Sequence, residues 1–241
     1  MNIWTTIFFQ PLLNILVGLY NLMGQDIGLA IIGLTIVIKL ILWPLSHKSL
    51  LAQKQLQTIQ PKINEIKEKY KDNKEELSRA MMSVYKEGKV SPLSSCLPIL
   101  IQLPFLIALY QVLMSSFKTL DINLLYPFIQ NPGQIDVMWL NGLLDLSKPN
   151  WPLAIITGLA QFWQAKQMSA ITTPPNIEAA GSANISKIMS KQMLYMAPAL
   201  TVFFGFTLPG GLMLYWLALT LLTVLQQFLS LRSHDKNVTT V

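Results

Sequence analysis

The sequence predicts an all-α integral membrane protein: five core transmembrane helices, N-terminus out and C-terminus in, with a cytoplasmic helical hairpin. Three observations predict it. Of 241 residues, 52% are hydrophobic and 12% charged, about half the charged fraction of a soluble domain, so lipid is the main solvent. Five apolar stretches approach the roughly 20 residues that cross a bilayer as a helix: Ile27–Leu45, Leu93–Ser115, Pro152–Met168, Met193–Leu208 and Leu212–Leu231. The charges are also segregated. Ten of the 18 Lys and Arg, with six of the 12 acids, fall between Lys48 and Lys89, a block that the positive-inside rule assigns to the cytoplasm.

In chain order, residues 1–24 hold the candidate helix Ile3–Met23. Its apolar Ile7, Leu12, Ile15, Leu16 and Leu19 fall on one face, while Gln10, Asn14 and Asn21 lie elsewhere. This predicts an amphipathic helix in the outer interface, with a sixth span as the other reading. Residues 25–46 form the first span. Residues 47–91 follow as the hairpin: Leu56, Ile59, Ile63, Ile66 and Tyr70 make a heptad-like stripe, Lys71-Asp72-Asn73 interrupts it, and Leu77, Met81, Val84 and Tyr85 resume it.

The second span covers 92–116. The external loop 117–151 carries two lysines against Asp121, Asp136 and Asp145. Spans three to five occupy 152–231. Lys166, Lys187 and Lys191 mark a cytoplasmic loop at about 169–192, and Pro209-Gly210-Gly211 is an external turn. Arg232 and Lys236 hold the short tail 232–241 inside. Trp4, Trp43, Trp139 and Trp151 fall near expected interfaces, as an aromatic belt requires.

Several function classes lack their residues. The single cysteine, Cys96, excludes an internal disulfide, and two histidines, His47 and His234, at opposite ends of the membrane part cannot by themselves form a metal site. No nucleophile elbow, P-loop or dinucleotide fingerprint occurs. The expectation is no enzyme and no cofactor. The N-terminus has neither a basic n-region nor an Arg/Ser-rich import sequence, which points to a bacterial plasma membrane.

Lys39 is the one charge in the apolar run Ile27–Leu45. At that depth a charge costs about 2.5–3.5 kcal/mol on insertion scales, and an intramembrane ionisable group is a functional-site hypothesis. Pro44 and His47 mark the cytoplasmic end, so Lys39 lies about 8–10 Å deep in a straight helix. Snorkelling inward would oppose the tilt of helical side chains toward the N-terminus. A water-accessible cavity is the better reading, and other spans offer polar groups to line it: Thr35 one turn away, Gln102, Gln161 with Gln164, and Tyr215-Trp216. Each alone reads equally well as an interhelical hydrogen bond.

These residues resemble the YidC family of membrane protein insertases, related to the mitochondrial Oxa and chloroplast Albino proteins. The resemblance rests on Thr35-Ile36-Val37-Ile38-Lys39 with Trp43-Pro44-Leu45, then Gln60-Pro61-Lys62-Ile63 and Met81–Tyr85. It continues through Ser91–Pro98, Ile101-Gln102-Leu103-Pro104, Ala108-Leu109-Tyr110, Phe203–Phe206, Pro209-Gly210-Gly211-Leu212, Leu214-Tyr215-Trp216 and Gln226-Gln227.

The resemblance implies five spans around a hydrophilic groove open to the cytoplasm and to lipid. It puts Lys39 in place of a groove arginine, Thr35 in place of a groove threonine, and Tyr215-Trp216 in place of a substrate-contacting aromatic pair. Lysine keeps the charge and gives up the bidentate fork. The implied partners are nascent membrane proteins and membrane lipids, with the Sec translocon, the signal recognition particle pathway and the ribosome as further candidates. Neither the large external domain of some relatives nor a long basic tail is seen. The competing function is a small-solute or anion transporter or channel using Lys39, against which no inverted repeat is visible; a pure assembly scaffold is a third.

Overall fold

The computed structural model describes residues 2–71, 73–89, 91, 97–118, 120–170 and 195–238, and the regular structure is almost entirely helical. A π-helical turn, Thr5–Phe9, leads into α1, Gln10–Leu22. Next come α2, Ile27–Ile41; α3, Trp43–Lys69; α4, Lys74–Glu87; and α5, Leu97–Ser116. A 3-10 turn, Ile122–Leu124, precedes a two-stranded antiparallel hairpin of β1, Met138–Trp139, and β2, Leu144–Asp145. The chain ends with α6, Trp151–Ala170; α7, Tyr195–Phe204; and α8, Gly210–Val238. Cys96, residues 171–192 of the expected cytoplasmic loop with Lys187 and Lys191, and the side chains of Arg232, His234 and Lys236 lie outside the described residues.

The stretch expected as one span, Ile27–Leu45, is two helices. α2 starts at Asp26, whose carboxylate accepts from Leu29 N at 2.8 Å, an N-cap. It stops at Ile41, and α3 leaves at 67°. Pro44 sits in the first turn of α3; it has no N–H to give the Leu40 carbonyl, and its ring would crowd that carbonyl in a continuous helix. The hairpin's first helix therefore begins at Trp43 rather than near residue 47. Between its two helices Asn73 caps α4 by accepting from Glu75 N and Glu76 N. Every position of the expected apolar stripe, Leu56 through Tyr85, is buried or half-buried. Ile63 and Val84 are buried apart from the main core.

That core joins α1, α2, α5, α6 and α8 around Leu13, Leu16, Ile31, Leu34, Leu109 and Leu113. Its contacts fix the relative helix directions. Ile31 packs on Gly211 and Lys39 meets Thr223, so α2 and α8 run parallel. Leu113 also packs on Gly211 while Gln102 meets Tyr215, so α5 is antiparallel to α8. Asn150 lies by Gly210, and Thr157 donates to the Met213 carbonyl at 3.3 Å, so α6 is parallel to α8.

Helix α7 returns against α6: Gly205 abuts Ala154, Val202 faces Gly158 and Thr201 meets Gln161. Ala154 and Gly158, one turn apart, let the two backbones approach as small residues do between membrane helices. Among the described residues, Thr5–Leu22, Gly210–Ser230 and the bent pair Ile27–Ile41 with Trp43–Leu56 are long and apolar enough to cross a membrane; Leu100–Ser116 and Tyr195–Phe204 are shorter apolar helices.

The polar residues of α1 do not look outward from an amphipathic helix. They hold the loop beyond α5. Asn14 is buried, donates to Leu124 O at 2.9 Å and accepts from Tyr126 N at 2.6 Å. Gln10 donates to Leu124 O at 3.2 Å and Asn21 to Gln130 O at 2.7 Å, while the Tyr20 hydroxyl accepts from Asp136 N at 3.0 Å. The loop also closes over two helix starts. Trp139 lies against Gly28, where no Cβ would fit. The first amides of α8, Gly210 N and Gly211 N, donate to Lys148 O at 2.8 Å and Leu146 O at 2.9 Å, which satisfies donors that a helix start leaves open.

Candidate functional site

Lys39 occupies the last turn of α2, about two residues or 3 Å short of the break. The depth expected for a straight helix to Leu45 therefore does not apply: the bend brings the lysine close to the end of its segment. The position suits a cation, because the C-terminal carbonyls of a helix carry partial negative charge. Lys39 is only 7% exposed. Its ammonium donates to Thr223 Oγ1 at 3.0 Å, and among the described residues no carboxylate pairs with it. The hydroxyl can accept because its own proton goes to Leu219 O at 2.7 Å.

The other sequence-predicted residues fall into two groups. Thr35 is fully buried one turn before Lys39 and donates to Ile31 O at 2.7 Å, leaving its oxygen lone pairs free to accept. Gln102, half-buried, hydrogen-bonds the Tyr215 hydroxyl and so ties α5 to α8. Tyr215 itself is wholly buried, whereas Trp216 is half-buried; the tyrosine braces two helices rather than offering open surface. Gln161 stands apart. It accepts from Thr201 Oγ1 at 2.7 Å, linking α6 to α7, and no bond joins it to the Lys39 group.

What organises the first group is a face of α8 that sequence reading missed. At about 100° per residue, Tyr215, Thr223, Gln226 and Ser230 fall within an arc of about 80°. Each has a role on that face. Tyr215 takes Gln102 of α5, Thr223 takes Lys39 of α2, and Ser230 Oγ lies 3.2 Å from Nδ1 of His47 at the start of α3. Gln226, between Thr223 and Ser230, is fully buried with neither amide atom bonded to the protein. The signal was legible as polar residues at helical spacing in an otherwise apolar run; it needed the partners to give it meaning. The resulting polar track runs lengthwise through apolar packing and leads from α5 past Lys39 to the bend. It offers hydrogen-bonding groups and, at Lys39, a buried amine.

A family model described as 60Kd inner membrane protein matches residues 18–237. Among curated proteins, the membrane protein insertase YidC of Nitratidesulfovibrio vulgaris (strain DP4) is 35% identical over 229 residues, covering 95% of this chain and 39% of the relative. That of Geotalea daltonii is 36% identical over 224 residues, 93% of this chain and 37% of the relative. The chain thus spans about two-fifths of the length of the relatives it matches. A solved structure described as an active YidC insertase with the first transmembrane domain resolved superposes with a TM-score of 0.60 at 24% identity, over 93% of this chain and 46% of that one. This likeness shows the fold.

Proposed function

The chain belongs to the 60Kd inner membrane protein family, and from that premise we propose that it is a membrane protein insertase. It is a helical inner-membrane protein. In this reading α2, α5, α6, α7 and α8 are five spans, α1 lies at the outer interface, and the N-terminus is outside. The alternating helix directions support that order, as does the excess of Lys and Arg between Lys48 and Lys89. A hydrophobic segment of a nascent membrane protein enters from the cytoplasm beside the α3–α4 hairpin. Lys39 and Thr223, with Thr35 and Gln102, hold its acidic or polar flank part-way across, and the apolar part leaves sideways into lipid past Trp216.

The single observation that carries this reading is a buried lysine whose sole bonded partner among the described residues is a neutral hydroxyl. A permanent ion pair would have its carboxylate built in. A cation held ready by a hydroxyl suits an anionic group that arrives and departs. Water and polar side chains reaching into the bilayer shorten the apolar barrier the flank must cross, so no nucleotide hydrolysis is needed. The clients are nascent membrane proteins; the Sec translocon, the signal recognition particle pathway and the ribosome are candidate partners.

The test uses the full chain in proteoliposomes and a small membrane protein with an acidic external segment. A charge-assisted hydrogen bond is worth about 1.5–3 kcal/mol, so Lys39→Ala is expected to slow insertion by about ten- to a hundredfold. A client with a neutral external segment should be much less affected. Equal insertion of the acidic client by both proteins, or solute flux without insertion, overturns the reading.

A further inference from the structure

The external loop carries a feature that the insertase reading leaves unused. Its three carboxylates each accept from the backbone amide two residues on, with Asp121 and Asp136 still exposed. Asp121 accepts from Asn123 N at 3.1 Å, Asp136 from Met138 N at 2.9 Å, and Asp145 from Ser147 N at 3.0 Å while pairing with Lys148 at 2.8 Å. Large apolar side chains are exposed as well. At the hairpin tip Leu140 is 46% and Leu143 83% exposed, and on the preceding turn Ile122 and Phe128 are 59% and 79% exposed.

The tip holds these leucines outward at a conformational cost. Leu140 has φ 53° and Asn141 φ 56°, a left-handed region that a leucine rarely adopts. The stem is registered against the membrane part of the chain: Trp139 lies on Gly28, in the first turn of α2, where the apolar run begins. Leu29 on α2 and Leu22 and Met23 at the end of α1 are exposed as well.

We propose that the β1–β2 hairpin is a membrane-surface anchor, with Leu140 and Leu143 seated in the lipid headgroup and upper acyl region at the N-terminal end of α2. The occupant is the bilayer itself, because Trp139 holds the hairpin stem at the first turn of α2, where the apolar run begins, and the tip beyond it exposes two leucines. Seated there, the tip fixes the height of the loop that closes over α2 and α8. This rests on α2 and α6 crossing the bilayer.

The experiment places one cysteine at a time in the full chain, with Cys96 replaced by Ser, in phosphatidylcholine nanodiscs. Leu143→Cys, Gln134→Cys and Leu159→Cys are each labelled with an environment-sensitive fluorophore. Gln134 is exposed in the same loop, and Leu159 is exposed on α6. Quenching by lipids spin-labelled high on the acyl chain is expected to be at least about twofold stronger at Leu143 than at Gln134. It should approach the quenching at Leu159. Quenching at Leu159 with none above the Gln134 level at Leu143 overturns the anchor and leaves the spans standing. Protection of Leu143 from aqueous iodide without lipid quenching also overturns it, since protein then covers the tip. No quenching at Leu159 overturns the span reading on which the anchor depends.

Discussion

The two ends of the helix bundle are held by different means. On the side of the β-hairpin, α1 and residues 120–150 are laced by side chain to backbone bonds from Gln10, Asn14, Tyr20 and Asn21, and by a tryptophan lying where α2 has no side chain. At the other end, α3 and α4 form a two-helix unit with its own small core around Ile63 and Val84. Its ion pair, Arg79 with Glu75, is exposed and local, so it contributes little. Its ties to the bundle include the helix break at Leu42 and the His47–Ser230 bond. Many long-range bonds make one end part of the global fold, whereas a small local core lets the other open separately. The insertase function proposed above, with polypeptide entering from one side, would draw on this asymmetry: one end keeps its shape and the other can shift.

The largest effect expected is at the α3–α4 end. Ile63→Ala removes most of a side chain 2% exposed, and such truncations cost about 2–5 kcal/mol. Faster hydrogen exchange should stay within α3 and α4, with the melting of the bundle unmoved; a lowered bundle transition would mean the hairpin is not a separate unit. Next comes Gly28→Ala. Trp139 leaves no room for the methyl group, and overpacking costs about 1–3 kcal/mol, here charged to the bundle transition itself. The contrast is Gly88→Ala in the hairpin, whose nearest neighbours are Ile59 Cγ2 at 3.1 Å and the Val84 carbonyl at 3.2 Å, both within the hairpin, and which should leave bundle melting unchanged. Asn14→Ala takes the acceptor from Tyr126 N and leaves Leu124 O to Gln10 alone, at about 1–2 kcal/mol; exchange at residues 124–126 reports it.

The smallest effect is a pH response at the β-hairpin's exit. The hydrogen bond from Lys148, then that from Ser147, holds the Asp145 carboxyl below its usual range. A folded-state value below the unfolded one contributes stability above the ordinary carboxylate pKa of about 3.9, and the contribution is lost as pH falls through the lowered value. Hydrogen exchange at Gly210 and Gly211, whose amides rest on Lys148 O and Leu146 O, should therefore rise on acidification. Asp145→Asn should remove that response while leaving exchange in α3 and α4 alone.

The sequence by itself determined the solvent, most helices and the apolar stripe of α3 and α4. These follow from composition and from periodicity over three or four residues, which are local quantities. It also singled out Lys39, because a charge in an apolar run is anomalous whatever surrounds it, and it read Gln102, Tyr215 and Thr35 as polar groups needing partners. Only the tertiary structure decided who those partners are. Thr223 is an ordinary threonine in α8 until α2 packs parallel to it, and Gln161 reads like Gln102 until it is found bonded to α7 instead. Gln10, Asn14 and Asn21 looked like the wet face of an interfacial helix, yet they bind a loop more than 100 residues away. Helical spacing fixes the face a side chain occupies; what covers that face depends on packing between segments far apart in the chain, and no local pattern encodes it.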